Sequence, residues 1–199
     1  VYHIGLTGNV ASGKSAVAEW FREWGATIID ADQLVREAQA PGEPLLAAMA
    51  RRFGDDVLRS DGSLDRDRMR DIMLQDADAR AGLNALVHPE VQRRWQRALE
   101  AARQRGDLVV VSDIPLLYEV MEPSEFDAVV LVDAPEAVRL DRLVQLRGLD
   151  PGEAQALIDA QLPSSVKRPR ADYVLDNEGT LADLRHAAHE VWTLLLERA

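Results

Sequence analysis

His3-Ile4-Gly5-Leu6, then Thr7-Gly8-Asn9-Val10-Ala11-Ser12-Gly13, then Lys14 to Trp24: this opening stretch sets the architecture. The first four residues are short and mainly apolar, as a buried strand would be. The glycine-containing loop that follows runs into a segment where Val17, Trp20, Phe21 and Trp24 fall at i, i+3, i+4 and i+7, one apolar helical face. Both tryptophans therefore read as core residues. Gly25 ends the helix, Ala26–Ile29 reads as a second strand, and a helix after Asp30-Ala31-Asp32 stops at Pro41-Gly42.

From 43 to 105 no strand signal appears, and Leu45, Met49, Phe53, Met69, Ile72, Leu83, Leu86, Trp95 and Leu99 recur at helical spacings. Strands resume at Leu108–Val111 and Asp127–Val132, apolar runs expected of parallel strands buried on both faces. Helices over 135–146 and 151–161, a polar segment with prolines, a strand at Ala171–Leu175 and a helix over 181–196 complete the chain. Strands separated by helices predict an α/β fold: an open parallel sheet with an α-helical insertion and a smaller helical lid.

Composition narrows the chemistry. With 199 residues and 47% apolar content the chain can bury a core without a covalent or metal staple. It has no cysteine, which excludes disulfides, iron–sulfur clusters, Cys-ligated zinc and thiol catalysis. The apolar runs are far too short to span a membrane, and no secretory signal is expected after Val1-Tyr2-His3, so a cytoplasmic setting is expected. A net charge of −11 repels nucleic acid and anionic membranes, so any anion must be held by a local site. Only Lys14 and Lys167 are lysines; the remaining cationic side chains are arginines.

Gly8-Asn9-Val10-Ala11-Ser12-Gly13-Lys14-Ser15 matches G-x-x-x-x-G-K-[ST] in full, between a strand and a helix as that motif requires. Its glycines allow a nest of main-chain amides aimed at phosphate oxygens, and the helix N-terminus adds positive potential. Lys14 is the point charge for β/γ-phosphates, and Ser15 a hydroxyl for Mg²⁺. In an open parallel sheet ligands gather at the carboxyl edge, which selects Asp30, Asp32, Ser112, Asp113 and Asp133. Asp32 is favoured for chemistry because Asp30 already serves the turn; Asp133 fits either helix capping or Mg²⁺. Arg139 and Arg142 share a helical face, and with Arg147, Lys167, Arg168 and Arg170 they predict a cationic lid over a triphosphate. His186 and His189 lack a third ligand and read as surface residues.

Beyond the phosphate loop, Ile29-Asp30-Ala31-Asp32, Pro41-Gly42, Leu64-Asp65-Arg66, His88-Pro89, Asp113-Ile114-Pro115-Leu116-Leu117-Tyr118-Glu119 and Ala171–Gly179 follow in the order and spacing of one family. The sequence resembles the dephospho-CoA kinases over nearly its whole length. That resemblance implies ATP-dependent phosphorylation of the ribose 3′-hydroxyl of dephospho-CoA, with Mg²⁺ as cofactor. The two small molecules are the expected partners, with no nucleic acid, membrane or obligate protein partner. It implies a nucleotide-binding core from residues 1–36, 106–134 and 171–199, a helical acceptor domain over 37–105 and a lid over 135–170.

By the same resemblance Asp32 is the base or hydroxyl-orienting carboxylate, and Arg142 the lid arginine on the transferring phosphate. Thr7, Gly8, Asn9, Val10, Ala11, Ser12, Gly13, Lys14, Ser15 and Ala16 are expected on ATP phosphates and metal. Asn177 and Gly179 are expected beside adenine, and Arg66, His88, Leu117 and Glu119 on the acceptor side. His88 also reads as a helix-start histidine, and Glu119 as an arginine partner. Two positions depart from the family: Ala11 stands where glycine is common and is expected at negative φ. Leu146 stands where a second lid arginine is common, Arg147 lying one position and about 100° further round the helix. Other phosphate-loop small-molecule kinases, of nucleoside monophosphate or shikimate type, are the alternative reading. A nucleotide switch is disfavoured, because two lysines leave no guanine-reading Asn-Lys-x-Asp.

Overall fold

The computed structural model describes all 199 residues, Val1–Ala199. The elements run β1 (Tyr2–Gly8), α1 (Lys14–Glu23), β2 (Thr27–Asp30), α2 (Ala31–Ala38), α3 (Pro44–Phe53), α4 (Arg66–Gln75), α5 (Ala77–Arg105) and β3 (Val109–Asp113). They continue through α6 (Leu117–Val120), β4 (Ala128–Asp133), α7 (Glu136–Arg147), α8 (Pro151–Asp159), α9 (Ser164–Lys167), β5 (Tyr173–Asp176) and α10 (Leu181–Arg198). The chain divides into two compact units, residues 1–29 with 102–199, and residues 30–101. No helix is long and apolar enough to cross a membrane.

The first unit is built on a five-stranded sheet of order β2-β3-β1-β4-β5. β1 pairs in parallel with β3 and with β4, and β4 in parallel with β5, with Ile4 opposite Val111, Leu6 opposite Val130 and Val132 opposite Leu175. β3 and β4 are buried at every position, which is why they read as unbroken apolar runs rather than as alternation. One face is closed by α1 and α10: Val17, Phe21, Leu184, Ala188 and Leu195 pack on Ile4, Leu6, Val111, Val130 and Leu175. Phe21 and Trp192 stack at 5.5 Å between ring centroids, and Trp24 lies half-buried against the same cluster. The alternating residues of β1 serve the other face. A Cβ on Gly5 would meet Leu117 Cδ1 at 2.7 Å, so α6 lies on bare backbone there.

His3 is on that second face, where its Nε2 pairs with Ser112 Oγ at 2.9 Å and its ring packs on Phe126 at 4.9 Å. Burial pushes its pKa down from 6.5 to about 4, opposed by Asp127 and helped by Arg103. The folded chain thus prefers neutral His3, and as pH falls the unfolded chain takes up the proton first. The stability tied to His3 is complete above about pH 6.5 and is lost as pH falls toward about 4. The whole shift corresponds to about 3 kcal/mol. Denaturant unfolding of the wild type and His3→Gln across this range should show the steeper decline in the wild type. Equal slopes would contradict the assignment.

The second unit is helical, as the periodicity predicts, apart from an isolated antiparallel bridge between Leu58 and Leu64. Ala38 of α2, Leu45, Leu46 and Met49 of α3, Val57, Leu64 and Met69 of α4 form its core. One expectation fails here. His88 does not start a helix: α5 runs on through Pro89. Proline removes one backbone donor and disfavours helix at the residue before it. Interactions on both sides outweigh that local cost. Leu83, Leu86 and Val87 pack on the unit's core before it, and after it Glu90 accepts from Arg94 Nε at 2.6 Å and also pairs with Arg93.

Candidate active site

β1 delivers the chain to the carboxyl edge of the sheet between β3 and β4, and the residues from Gly8 to Ser15 make the turn into α1. Gly8 admits no side chain, since a Cβ would lie 2.6 Å from Val132 O and 2.5 Å from Ser12 Oγ. Ser12 N donates to Asn9 O at 3.0 Å, and Gly13 takes φ 100° as the N-terminal flank of α1. The amides of Lys14 and Ser15 open the helix and have no acceptor within it, so they are available to an anion. Lys14 Nζ pairs with Asp113 at the end of β3, and Ser15 is exposed on the first helical turn.

Ala11 overturns its expectation: φ is +60°, the left-handed region that an L-residue enters at a cost of about 1–2 kcal/mol. Two interactions offset that strain. Arg142 Nη1 donates to Ala11 O at 3.1 Å, and the alanine methyl packs with Val10 on a small apolar cluster of Leu140, Leu143, Ala154 and Ile158 from α7 and α8. Glycine would relax the backbone but could not supply that methyl.

Of the cations expected in a lid, most are engaged with protein rather than displayed. Arg142 Nη2 donates to Asn177 O at 3.1 Å, which ties α7 to both the phosphate loop and the loop after β5. Arg139 faces inward, 4% exposed, with Nε donating to Ala134 O at 3.1 Å. Arg168 spans Asp133 at 2.8 Å and Asp176 at 2.6 Å, and these two carboxylates, Asp176 foremost, hold its guanidinium more firmly protonated than usual. Asp133 also accepts from Ser164 Oγ at 2.6 Å, so it is an arginine and serine partner. Arg147 and Leu146 end α7 exposed.

Lys167, expected among the lid cations, is fully buried, reaching Asn9 Oδ1 at 2.6 Å and Glu119 at 2.7 Å. Glu119 also accepts from Leu162 N at 3.2 Å, which makes its cationic partner a lysine rather than an arginine. Leu117, expected to touch the acceptor, is fully buried with its side chain over Gly5, so it is a packing residue. Asn177 is buried and spends its amide on Ser12 O at 2.8 Å, while Gly179 leads into the capping box formed by Thr180 and Asp183. Thr7 is buried and donates to Pro115 O at 3.1 Å. Ala16, half-buried, donates its amide to Gly13 O at 3.1 Å.

Sequence reasoning missed Gln161, whose Oε1 accepts from Val10 N at 2.8 Å. Nothing in its own neighbourhood marks it, whereas the scarcity of lysine does mark Lys167. A cavity of about 470 Å³ adjoins Asn9 and Gln161, but Asp133, Glu136, Asp159, Asp176 and Glu178 line it. Arg139 also lines it and Arg168 pairs with Asp133 and Asp176, so its excess negative charge comes from Glu136, Asp159 and Glu178. The open helix-start amides beside Lys14 are the better anion site.

In the helical unit Asp30 caps α2 by accepting from Gln33 N at 2.9 Å, which leaves Asp32 exposed in the first turn with its carboxylate unspent on capping. Arg66 is the first residue of α4 after the capping Asp65, and it is exposed; His88 is exposed on α5. Across the chain no group of three or more His, Cys, Asp or Glu side chains could hold a metal ion by itself.

The family model for dephospho-CoA kinase matches residues 2–183. The chain belongs to the dephospho-CoA kinase family. A dephospho-CoA kinase of Streptomyces avermitilis is 45% identical over 196 residues, which cover 98% of this chain and 95% of that one. Among solved structures, TT1252 from Thermus thermophilus superposes with a TM-score of 0.82 at 36% identity, covering 98% of this chain and 97% of that one. A dephospho-CoA kinase from Campylobacter jejuni shares the fold at a TM-score of 0.68 and 20% identity, with 97% and 96% coverage. This dephospho-CoA kinase family member carries the complete G-x-x-x-x-G-K-[ST] loop, with alanine at its left-handed position.

Proposed function

We infer that the chain transfers the γ-phosphoryl group of ATP to the ribose 3′-hydroxyl of dephospho-CoA, giving CoA and ADP, the last step of coenzyme A synthesis. The observation that carries this is family membership over nearly the full length, joined to an intact phosphate loop. Phosphoryl transfer has a loose transition state, so positioning and charge stabilisation supply most of the catalysis. The Lys14 and Ser15 amides and the Lys14 ammonium would hold the β- and γ-phosphates, with Arg142 on the transferring group. Arg142 must exchange its carbonyl partners, Ala11 O and Asn177 O, for phosphate oxygens, a swap that makes lid and loop respond to nucleotide together. Asp32 is assigned the acceptor hydroxyl, which it orients and whose proton it takes. Arg66 and His88 are assigned to the acceptor's phosphate groups.

Mg²⁺ fits the donor set. This ion keeps several waters and takes one or two protein oxygens together with substrate phosphates, and the exposed Ser15 hydroxyl supplies one such oxygen. When bound, such an ion would supply positive charge to offset the negative charge on the phosphate oxygens during transfer. The proposed setting is the cytoplasm, with the two small-molecule substrates as partners. Incubation with Mg-ATP and dephospho-CoA should yield ADP and CoA in equal amounts. Turnover of shikimate or a nucleoside monophosphate, with dephospho-CoA left unreacted, would replace this acceptor by another.

A further inference from the structure

We propose that Lys167 is a positioning residue for ATP, holding the first half of the phosphate loop in its binding shape through Asn9. A fully buried lysine is tolerated only when its donors are met, and here two strong acceptors meet them: Asn9 Oδ1 at 2.6 Å and the Glu119 carboxylate at 2.7 Å. The compact ammonium suits this place, whereas the planar arginine fork used nearly everywhere else in the chain would need more room. Asn9 is itself 4% exposed, and its other amide atom donates to Leu162 O at 3.2 Å. Its side chain is therefore fixed from both ends by the segment 162–167.

The backbone of Asn9 then shapes the loop, because Asn9 O accepts from Ser12 N across the turn that contains the left-handed Ala11. Gln161 adds a tie to the next residue by accepting from Val10 N. Glu119 is the hub on the far side, joining Lys167 to the amide of Leu162 and so setting the segment that grips Asn9. A loop held in this shape before nucleotide arrives gives up less freedom when it closes on phosphates, and its affinity is higher for that reason. Lys167 touches no substrate in this scheme. It acts through Asn9.

The inference rests on the reading that ATP phosphates occupy this loop, so Lys14→Ala serves as the separate control for that reading. Two variants of the full chain test Lys167 itself. Lys167→Met combined with Glu119→Gln removes both partners of the ion pair and leaves no uncompensated charge, which favours folding. Asn9→Ala keeps the ion pair and removes the link to the loop. Both should raise the Kd and KM for ATP on the order of 10–100-fold, the range for losing a hydrogen bond to a charged group, with the melting temperature close to wild type, and Asn9→Ala should leave the KM for dephospho-CoA near that of the wild type. Adding Asn9→Ala to the double variant should weaken ATP binding by much less than the two separate losses multiplied together, because Lys167 acts through Asn9.

A native Kd for ATP in Asn9→Ala, or in a folded double variant, overturns the role of Lys167. So does a uniform loss in which both KM values rise together with a fallen melting temperature, the signature of a purely structural residue. If Lys14→Ala also leaves ATP binding unchanged, the failure lies in the phosphate-loop reading instead.

Discussion

Lys14→Ala is expected to lower turnover on the order of 10²–10³-fold and to weaken ATP binding in the same variant. The ammonium is the one cationic side chain carried by the loop itself, and a loose transition state depends on charge placed beforehand against the β- and γ-phosphate oxygens. Lys14 pairs with Asp113, the carboxylate at the end of β3 and so at the carboxyl edge of the sheet. Removing the lysine takes away the cation proposed for the phosphates and one partner of Asp113 at once. Lys14→Met, which keeps most of the aliphatic stem, should show the same loss with less change in stability. ATP titration and initial rates separate the two effects, and a variant retaining near-native kcat and KM would remove Lys14 from the mechanism.

Asp32→Asn should lower kcat on the order of 10²–10⁴-fold while ATP affinity stays near that of the wild type. The amide keeps the size of the side chain and its hydrogen-bonding shape but cannot take a proton. Asp30, not Asp32, caps α2, so the substitution does not remove the helix cap and the variant should melt near the wild-type temperature. A near-native kcat would mean that orientation of the hydroxyl, not proton removal, is what Asp32 contributes. In that event Asp32→Ala would still be slow.

The loop between Gly8 and Ser15, and the places of Lys14 and Asp32 in the first turns of α1 and α2, were legible in the sequence because they depend on local order. The motif fixes a strand, a turn and a helix within a few residues, and the unbroken valine runs at 109–111 and 129–130 reveal strands covered on both faces. The helical excursion was equally plain, since its apolar spacing repeats over many turns. His88 reads as a helix start because a proline follows it, and only the packing and ion pairs on either side carry α5 through Pro89.

Partnership between distant segments was decided only by tertiary structure. Nothing within a few positions of Ala11 states that α7 and α8 will cover its methyl and Arg142 its carbonyl, and those contacts are what make φ +60° tolerable. Nothing near Lys167 states that it will be sealed against Asn9, 158 positions away. Composition marks that lysine as unusual, and its neighbouring arginines place it in a cationic lid over a triphosphate. The physical difference is range: backbone propensity and apolar periodicity are encoded residue by residue, whereas the desolvation and pairing of a buried charge depend on which segments folding brings together.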